Sequence, residues 1–261
     1  MRENLLRKKW ASGEPTLGGW LMVPSSISAE IMAHAGFDWL CVDMQHGLID
    51  YAQMVTLLQG ISATDVTPLA RVPWNEPGII GKTLDAGARG VIIPMVNSRD
   101  EAEAAVAACR YAPAGRRSFG PVRARTHYGS DYYSRANDDV LCIVMVETRQ
   151  AVEDVDQILS VPGVDAVYVG PADLSVTLGL QPAPDQTDAA FNDALNRICD
   201  SCKRNKVVPG IAGNSATAPK RIKQGFLLLE VASDVGLLGV GAANALQQVR
   251  PGGAGAKSAY L

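Results

Sequence analysis

The chain has 261 residues, 47% of them hydrophobic, enough for a large core in one (β/α)8 barrel or two small domains. Its 24 Lys and Arg nearly balance 27 Asp and Glu, giving a net charge of −3 without a long run of either sign. That balance argues against nucleic acid or an anionic membrane as a partner, and no apolar run reaches the roughly 18 residues of a membrane helix.

Residues 1–10 are charged and lack the apolar stretch of a signal peptide. Beyond them, strand-like and helical patterns alternate. Apolar runs at 17–23, 39–44, 68–72, 90–96, 141–147, 165–170, 208–212 and 226–231 predict strands. Helical patterns fall between them, at 28–36, 51–62, 75–87, 102–111, 188–204, 217–224 and 237–249. Asn75, before Glu76 and Pro77, is placed to cap the third of these, and Ser98 to Glu101 resembles a capping box. Runs that are apolar throughout suit parallel strands buried on both faces. About eight such units in one direction predict a closed (β/α)8 barrel over residues 1–250, and the Gly- and Ala-rich tail 251–261 is expected to be mobile.

Segment 112–139 breaks the rhythm. It carries Arg116, Arg117, Arg123, Arg125 and Arg135 with Tyr128, Tyr132 and Tyr133, and is expected to be irregular. It follows the fourth helix, so it starts on the face opposite the usual catalytic loops. Its aromatics predict a place at a subunit interface or a pocket rim, with a solvated basic loop as the alternative. Cys41, Cys109, Cys142, Cys199 and Cys202 are odd in number and mostly lie in apolar runs, which reads as reduced, buried thiols of a cytoplasmic protein. Cys199 and Cys202 have CxxC spacing, but no second pair stands near for a zinc site.

A charge at the C-terminal end of a buried strand points into the mouth where barrels place their ligands. The run Ile143-Val144-Met145-Val146 ends in Glu147, and Ala166-Val167-Tyr168-Val169-Gly170-Pro171-Ala172 ends in Asp173. Two carboxylates on adjacent strands make a seat for a hard divalent cation such as Mg2+ or Mn2+. Surface ion pairs are the alternative, and a paired-carboxylate glycosidase is a third. His46 follows the second strand, whereas His34 lies in a helical pattern and His127 in the insertion. Arg71 ends the third strand, where it either forks onto a substrate oxygen or forms a structural ion pair. Asp85 lies near a helix C-terminus, where a carboxylate opposes the macrodipole. That points to a specific partner such as a histidine, or to a plain surface carboxylate. Lys82, Lys203, Lys206, Lys220 and Lys223 all fall on helices or loops, which does not suit a Schiff base.

Taken together, Asp43-x-x-His46-Gly47, Arg71-x-Pro73-Trp74-Asn75, Leu84-Asp85-x-Gly87, Pro94-Met95-Val96, Arg110-Tyr111-x-Pro113-x-Gly115-x-Arg117, Glu147-Thr148 and Gly170-Pro171-x-Asp173-Leu174-Ser175 resemble the metal-dependent class II 2-oxo-acid aldolases of the HpcH/HpaI family. The match runs in the family's order from about residue 17 to the last helix. The resemblance implies a (β/α)8 barrel whose last helix is exchanged between paired subunits, in a hexamer built as a trimer of dimers. It implies a divalent metal, Mg2+ or Mn2+ with Co2+ as a further candidate, held by Glu147 and Asp173. His46 would be the base, Asp85 would raise its basicity, and Arg71 would stabilise an enolate. The backbone around Gly170, Ala172 and Asp173 would hold a 2-oxo-acid carboxylate.

The implied reaction makes or cleaves 4-hydroxy-2-oxo acids from a pyruvate-type or hydroxypyruvate-type enolate and an aldehyde, with oxaloacetate decarboxylation beside it. Two positions depart from the family. Gln45 stands where Glu is common, and Met145 where a substrate-touching Gln is common. A thioether is a weak acceptor and no donor, so Met145 bears on substrate choice. The rival readings are a malyl or citramalyl thioester lyase, using the basic loop 116–125 as a nucleotide groove, and a non-catalytic metal-binding barrel.

Overall fold

All eight apolar runs fold as strands: β1 Thr16–Leu21, β2 Trp39–Asp43, β3 Thr67–Arg71, β4 Gly90–Ile93, β5 Leu141–Met145, β6 Ala166–Val169, β7 Val208–Ile211 and β8 Leu228–Ser233. In the computed structural model, which describes residues 4–250, each strand pairs in parallel with the next and β8 closes on β1. The expected tail 251–261 lies outside the described residues.

Closure explains the composition of the strands. Side chains alternate between the lumen and the shell of helices, and both environments are dry. Trp20, Trp39, Cys41, Leu69, Ile92, Ile143, Met145 and Tyr168 fill the lumen. Val42, Ala70, Val91, Val144 and Val167 face the helices. The lumen admits Trp39 because β1 carries Gly18 at the same level, and a Cβ there would run into the indole ring. Trp20 stacks on Tyr168 with ring centroids 5.5 Å apart, and both meet Trp39 edge to face. These rings form the floor beneath the C-terminal ends of the strands.

Several local expectations change. The helix Pro77–Asp85 is capped by Glu76, not Asn75: the Glu76 carboxylate accepts from the N–H groups of Gly78 and Ile79, both at 2.8 Å. Pro77 occupies the first helical position and so fixes the cap at the residue before it. The Asn75 side chain instead donates to the carbonyl of Glu101 at 2.9 Å. Ser98 does cap Arg99–Cys109. Residues 5–11 form a helix, Leu5–Ala11, whose Leu6 and Trp10 are buried with the lumen cluster.

Segment 112–139 is irregular only over 112–121, and Arg117 is buried while Arg116 and Arg125 are exposed. It forms two short helices, Val122–Tyr128 and Tyr132–Asp139, and its polar groups bind the N-terminal side of the barrel. Arg123 donates to the carbonyl of Ala86 and the hydroxyl of Ser62, Tyr128 donates to the carbonyl of Gly87, and Asp139 accepts from Arg89. These contacts lie at the ends of helices that lead into strands, on the face away from the mouth, while Arg116, Arg117 and Ser118 line a separate cavity along the helix Pro77–Asp85. All five cysteines are free and buried. Among the described residues no helix is long and apolar enough to cross a membrane. The last helix, Asp234–Val249, buries only Asp234 and Gly236 and leaves Leu237, Leu238, Leu246 and Val249 exposed.

Candidate active site

The strands deliver four polar groups to one mouth. β2 ends in Asp43 and β3 in Arg71, which face each other directly in the register. Their side chains form a two-pronged pair, Nε to Oδ1 at 2.8 Å and one Nη to Oδ2 at 2.6 Å. The Arg71 guanidinium also lies 5.0 Å from the centre of the Trp20 ring. Asp43 is fully buried, and burial alone would raise its pKa. The Arg71 guanidinium outweighs that and holds the carboxyl below the usual range. The second Nη of Arg71 makes no protein hydrogen bond among the described residues. The ion-pair alternative for Arg71 is what the structure shows, and it occupies one edge of the guanidinium.

Asp43 also accepts from the backbone N–H groups of Gln45 and His46, at 3.0 and 3.3 Å. This closes the loop after β2 and leaves the His46 side chain exposed at the mouth. Gly47 is required there because a Cβ would collide with the Asp43 carbonyl. Asp43 was part of the sequence pattern, but its role was not legible in it. The available signal was an acid and an arginine ending adjacent parallel strands.

Glu147 lies two residues past β5 and is 2% exposed. Its Oε1 accepts from the Met95 N–H at 2.8 Å, and it has no ion-pair partner among the described residues. Burial pushes its pKa up to about 7; the Met95 N–H and Arg71 oppose this, and the nearby Asp173 charge adds to it. Met95 makes its bond from a left-handed backbone, with φ 55, a conformation that costs a non-glycine residue about 1–3 kcal/mol. Asn97 holds the Met95 carbonyl at 2.8 Å, and Thr148 donates to Asn97. On the other side Gly170 packs against the Glu147 carboxylate so closely that no Cβ would fit. The strained turn and the bare glycine thus aim one buried carboxylate.

Asp173 sits in the first turn of the helix Pro171–Thr177 and is exposed. This helix has Gly170 at its cap and no side-chain cap bond, so its first N–H groups face the mouth. Met145 is buried beneath, in register with Tyr168, and its methyl group is close to Gly170. No cluster of three or more metal-binding side chains occurs among the described residues. An ion on Glu147 and Asp173 would keep its remaining positions for water and substrate. A buried carboxylate lacking a cation and crowded by a second one fits a divalent ion, which would relieve the repulsion that burial and Asp173 create.

Asp85 is not brought to His46 within one chain. The helix Pro77–Asp85 starts at the mouth and runs down the outside of the barrel, so Asp85 ends on the opposite face from His46. There it accepts from Arg117 at 2.7 Å, and Arg117 also donates to the hydroxyl of Tyr132. Arg117 is the specific partner that the misplaced acid pointed to.

The chain is similar to known proteins over most of its length. Residues 17–239 match the HpcH/HpaI aldolase/citrate lyase family. The chain is 38% identical to a hydroxypyruvate/pyruvate aldolase of Rhizorhabdus wittichii, over 95% of this chain and 99% of that protein. It is 40% identical to a 4-hydroxy-2-oxo-heptane-1,7-dioate aldolase of Escherichia coli, over 90% of this chain and 91% of that protein. The fold superposes on an HpcH/HpaI aldolase/citrate lyase family protein from Burkholderia cenocepacia with a TM-score of 0.89 and 36% identity, covering 95% of this chain and 100% of that one.

If Glu147 and Asp173 seat the ion, Glu147→Gln and Asp173→Asn should each weaken Mn2+ binding by more than roughly tenfold, read by equilibrium dialysis. Unchanged binding in both variants would remove the seat.

Proposed function

Because this chain belongs to the HpcH/HpaI aldolase/citrate lyase family and is a carbon–carbon lyase, we propose that its mouth makes and cleaves 4-hydroxy-2-oxo acids from a pyruvate-type or hydroxypyruvate-type donor and an aldehyde. The observation that carries this reading is Glu147: a buried carboxylate beside Asp173, without a cation, at the C-terminal end of a barrel strand. Members of the family use a divalent metal. Here Glu147 and Asp173 would hold it, with Mg2+ or Mn2+ favoured by the all-oxygen donor set and Co2+ as a further candidate.

When bound, such an ion supplies Lewis-acid polarisation of the donor's 2-oxo group. The chain's own residues do the rest. The uncapped first turn at Gly170, Ala172 and Asp173 holds the donor carboxylate with backbone N–H groups. His46, exposed on its loop, takes the proton from the donor's C3 atom. The free Nη of Arg71 donates to the enolate oxygen, while Asp43 and Trp20 keep the guanidinium from turning away. The enolate carbon then attacks the aldehyde carbon, the aldehyde oxygen takes up the proton held by His46 to become the 4-hydroxyl, and cleavage reverses these steps. Oxaloacetate decarboxylation reaches the same enolate by losing CO2.

The thioester-lyase alternative has less support, because the relatives at 38% and 40% identity are named aldolases. Assembly is part of the proposal. The exposed apolar face of Asp234–Val249 supports exchange of this helix between paired subunits, three pairs forming a hexamer. Asp85 can act only on a His46 of a second copy. The buried free thiols support a cytoplasmic location.

His46→Ala should lose aldol addition from pyruvate by about 10²–10⁴ and retain much more oxaloacetate decarboxylation, which has no C–H proton to remove. Arg71→Ala should damage both. If His46→Ala lost both equally while Arg71→Ala spared decarboxylation, the two roles would be wrong. Met145→Gln restores a polar group beside Gly170 and should shift relative kcat/KM between pyruvate and hydroxypyruvate; an unchanged ratio counts against a donor-side role for Met145. Sedimentation velocity should show a hexamer, and a monomer at micromolar concentration would exclude the exchanged helix.

A further inference from the structure

Among the described residues only two besides glycine have a left-handed backbone, Met95 and Lys206. Lys206 caps the C-terminus of the helix Ala189–Asn205, where that conformation is common. Met95 ends no helix. It lies two residues past β4, in the loop Pro94-Met95-Val96-Asn97, so no element of secondary structure asks for its φ of 55°. Backbone strain of this kind persists only where the surrounding contacts impose it.

Met95 makes two such contacts. Its N–H donates to Glu147 Oε1, and its carbonyl accepts from Asn97 Nδ2, each at 2.8 Å. Rotation about φ turns a residue's N–H relative to its own carbonyl. A return to the usual negative φ would therefore pull one group or the other off its partner. Asn97 is itself held at both ends. Its N–H donates to the Glu101 carboxylate, and its Oδ1 accepts from the Thr148 hydroxyl. That hydroxyl accepts from the Ala151 N–H as the cap of the helix Arg149–Glu153, which leaves its single proton for Asn97. The amide oxygen thus faces Thr148, and the amide NH2 faces Met95. Thr148 directly follows Glu147, so the bonds form a closed circuit around the carboxylate. Every group in the circuit comes from one chain, and Glu147 and Thr148 are buried in it.

We propose that Asn97 and Thr148 are positioning residues for the metal site: by holding Met95 left-handed they keep its N–H on Glu147, and so set the affinity for the ion. The inference rests on the reading of Glu147 and Asp173 as the metal seat. It extends that seat to two residues that touch neither the ion nor the substrate, and it makes the strain at Met95 the quantity they work against.

The test is Mn2+ binding to the full-length protein by equilibrium dialysis, which needs no substrate. Asn97→Ala releases the Met95 carbonyl and should raise the Kd about 10–100-fold, the range for a group that supports a metal ligand. Glycine adopts a positive φ without penalty, so in a Met95→Gly background the turn needs no holding. There Asn97→Ala should raise the Kd by no more than roughly threefold. General damage to the fold would weaken binding by the same factor in both backgrounds. That result overturns the proposal, as does wild-type affinity in Asn97→Ala. Thr148→Val removes the hydroxyl and Thr148→Ser keeps it, so the serine variant should bind Mn2+ about tenfold or more tightly than the valine variant. Equal binding by these two also overturns the proposal, and this pair carries the test if Asn97→Ala does not fold. Mn2+ binding unchanged by both Glu147→Gln and Asp173→Asn would instead refute the seat, and the inference with it.

Discussion

A carboxylate buried without a cation is the constraint on which this barrel's mouth depends. Glu147 has lost its water, keeps one backbone hydrogen bond and faces a second carboxylate. Left so, it is destabilising, because burial favours its proton over its charge. The fold nevertheless commits three separate features to holding it: the left-handed Met95, the tie from Thr148 through Asn97, and the missing side chain of Gly170. Structural stability alone gives no reason to keep such an arrangement. A divalent ion would, since it would turn two repelling charges into two ligands.

The electrostatics beside it are arranged in the opposite sense. Asp43 and Arg71 neutralise each other fully, with two hydrogen bonds and an aromatic ring behind the guanidinium. Removing one partner from such a buried pair typically costs about 3–5 kcal/mol, because the other is left charged and dry. The pair therefore acts as a rigid mount. It fixes the free edge of Arg71 toward the mouth and, through two backbone bonds, the turn that carries His46. The apolar layer of Trp20, Trp39 and Tyr168 beneath excludes water from below. Together they form a polar, pre-shaped surface on a dry floor, which is what stabilising a developing enolate charge demands.

Much of this was legible in the sequence because a parallel barrel leaves a simple trace. Strands buried on both faces must be apolar throughout, so all eight stood out, and the acids ending two of them marked the mouth. What was not legible depended on partners distant in sequence. Asp43 meets Arg71 only through register, 28 residues on. Asp85 looked like a partner for a histidine because its helix position was unfavourable, but the direction of that helix carries it to Arg117 on the far face. The acceptors of Arg117 and Arg123 in segment 112–139 lie on helices far away in sequence, so their pairing was not legible, while Arg116 and Arg125 stay exposed. Helix Leu5–Ala11 was too short for its two buried residues to form a pattern.

The central claim is that this mouth removes a proton from a 2-oxo-acid donor with the help of a divalent ion on Glu147 and Asp173. It can be tested without knowing the aldehyde, by following the methyl protons of pyruvate in D2O by NMR. Metal-loaded protein should exchange them for deuterium well above the buffer rate, and a chelator should stop the exchange. No exchange above buffer, or exchange that persists after the metal is removed, would contradict the claim.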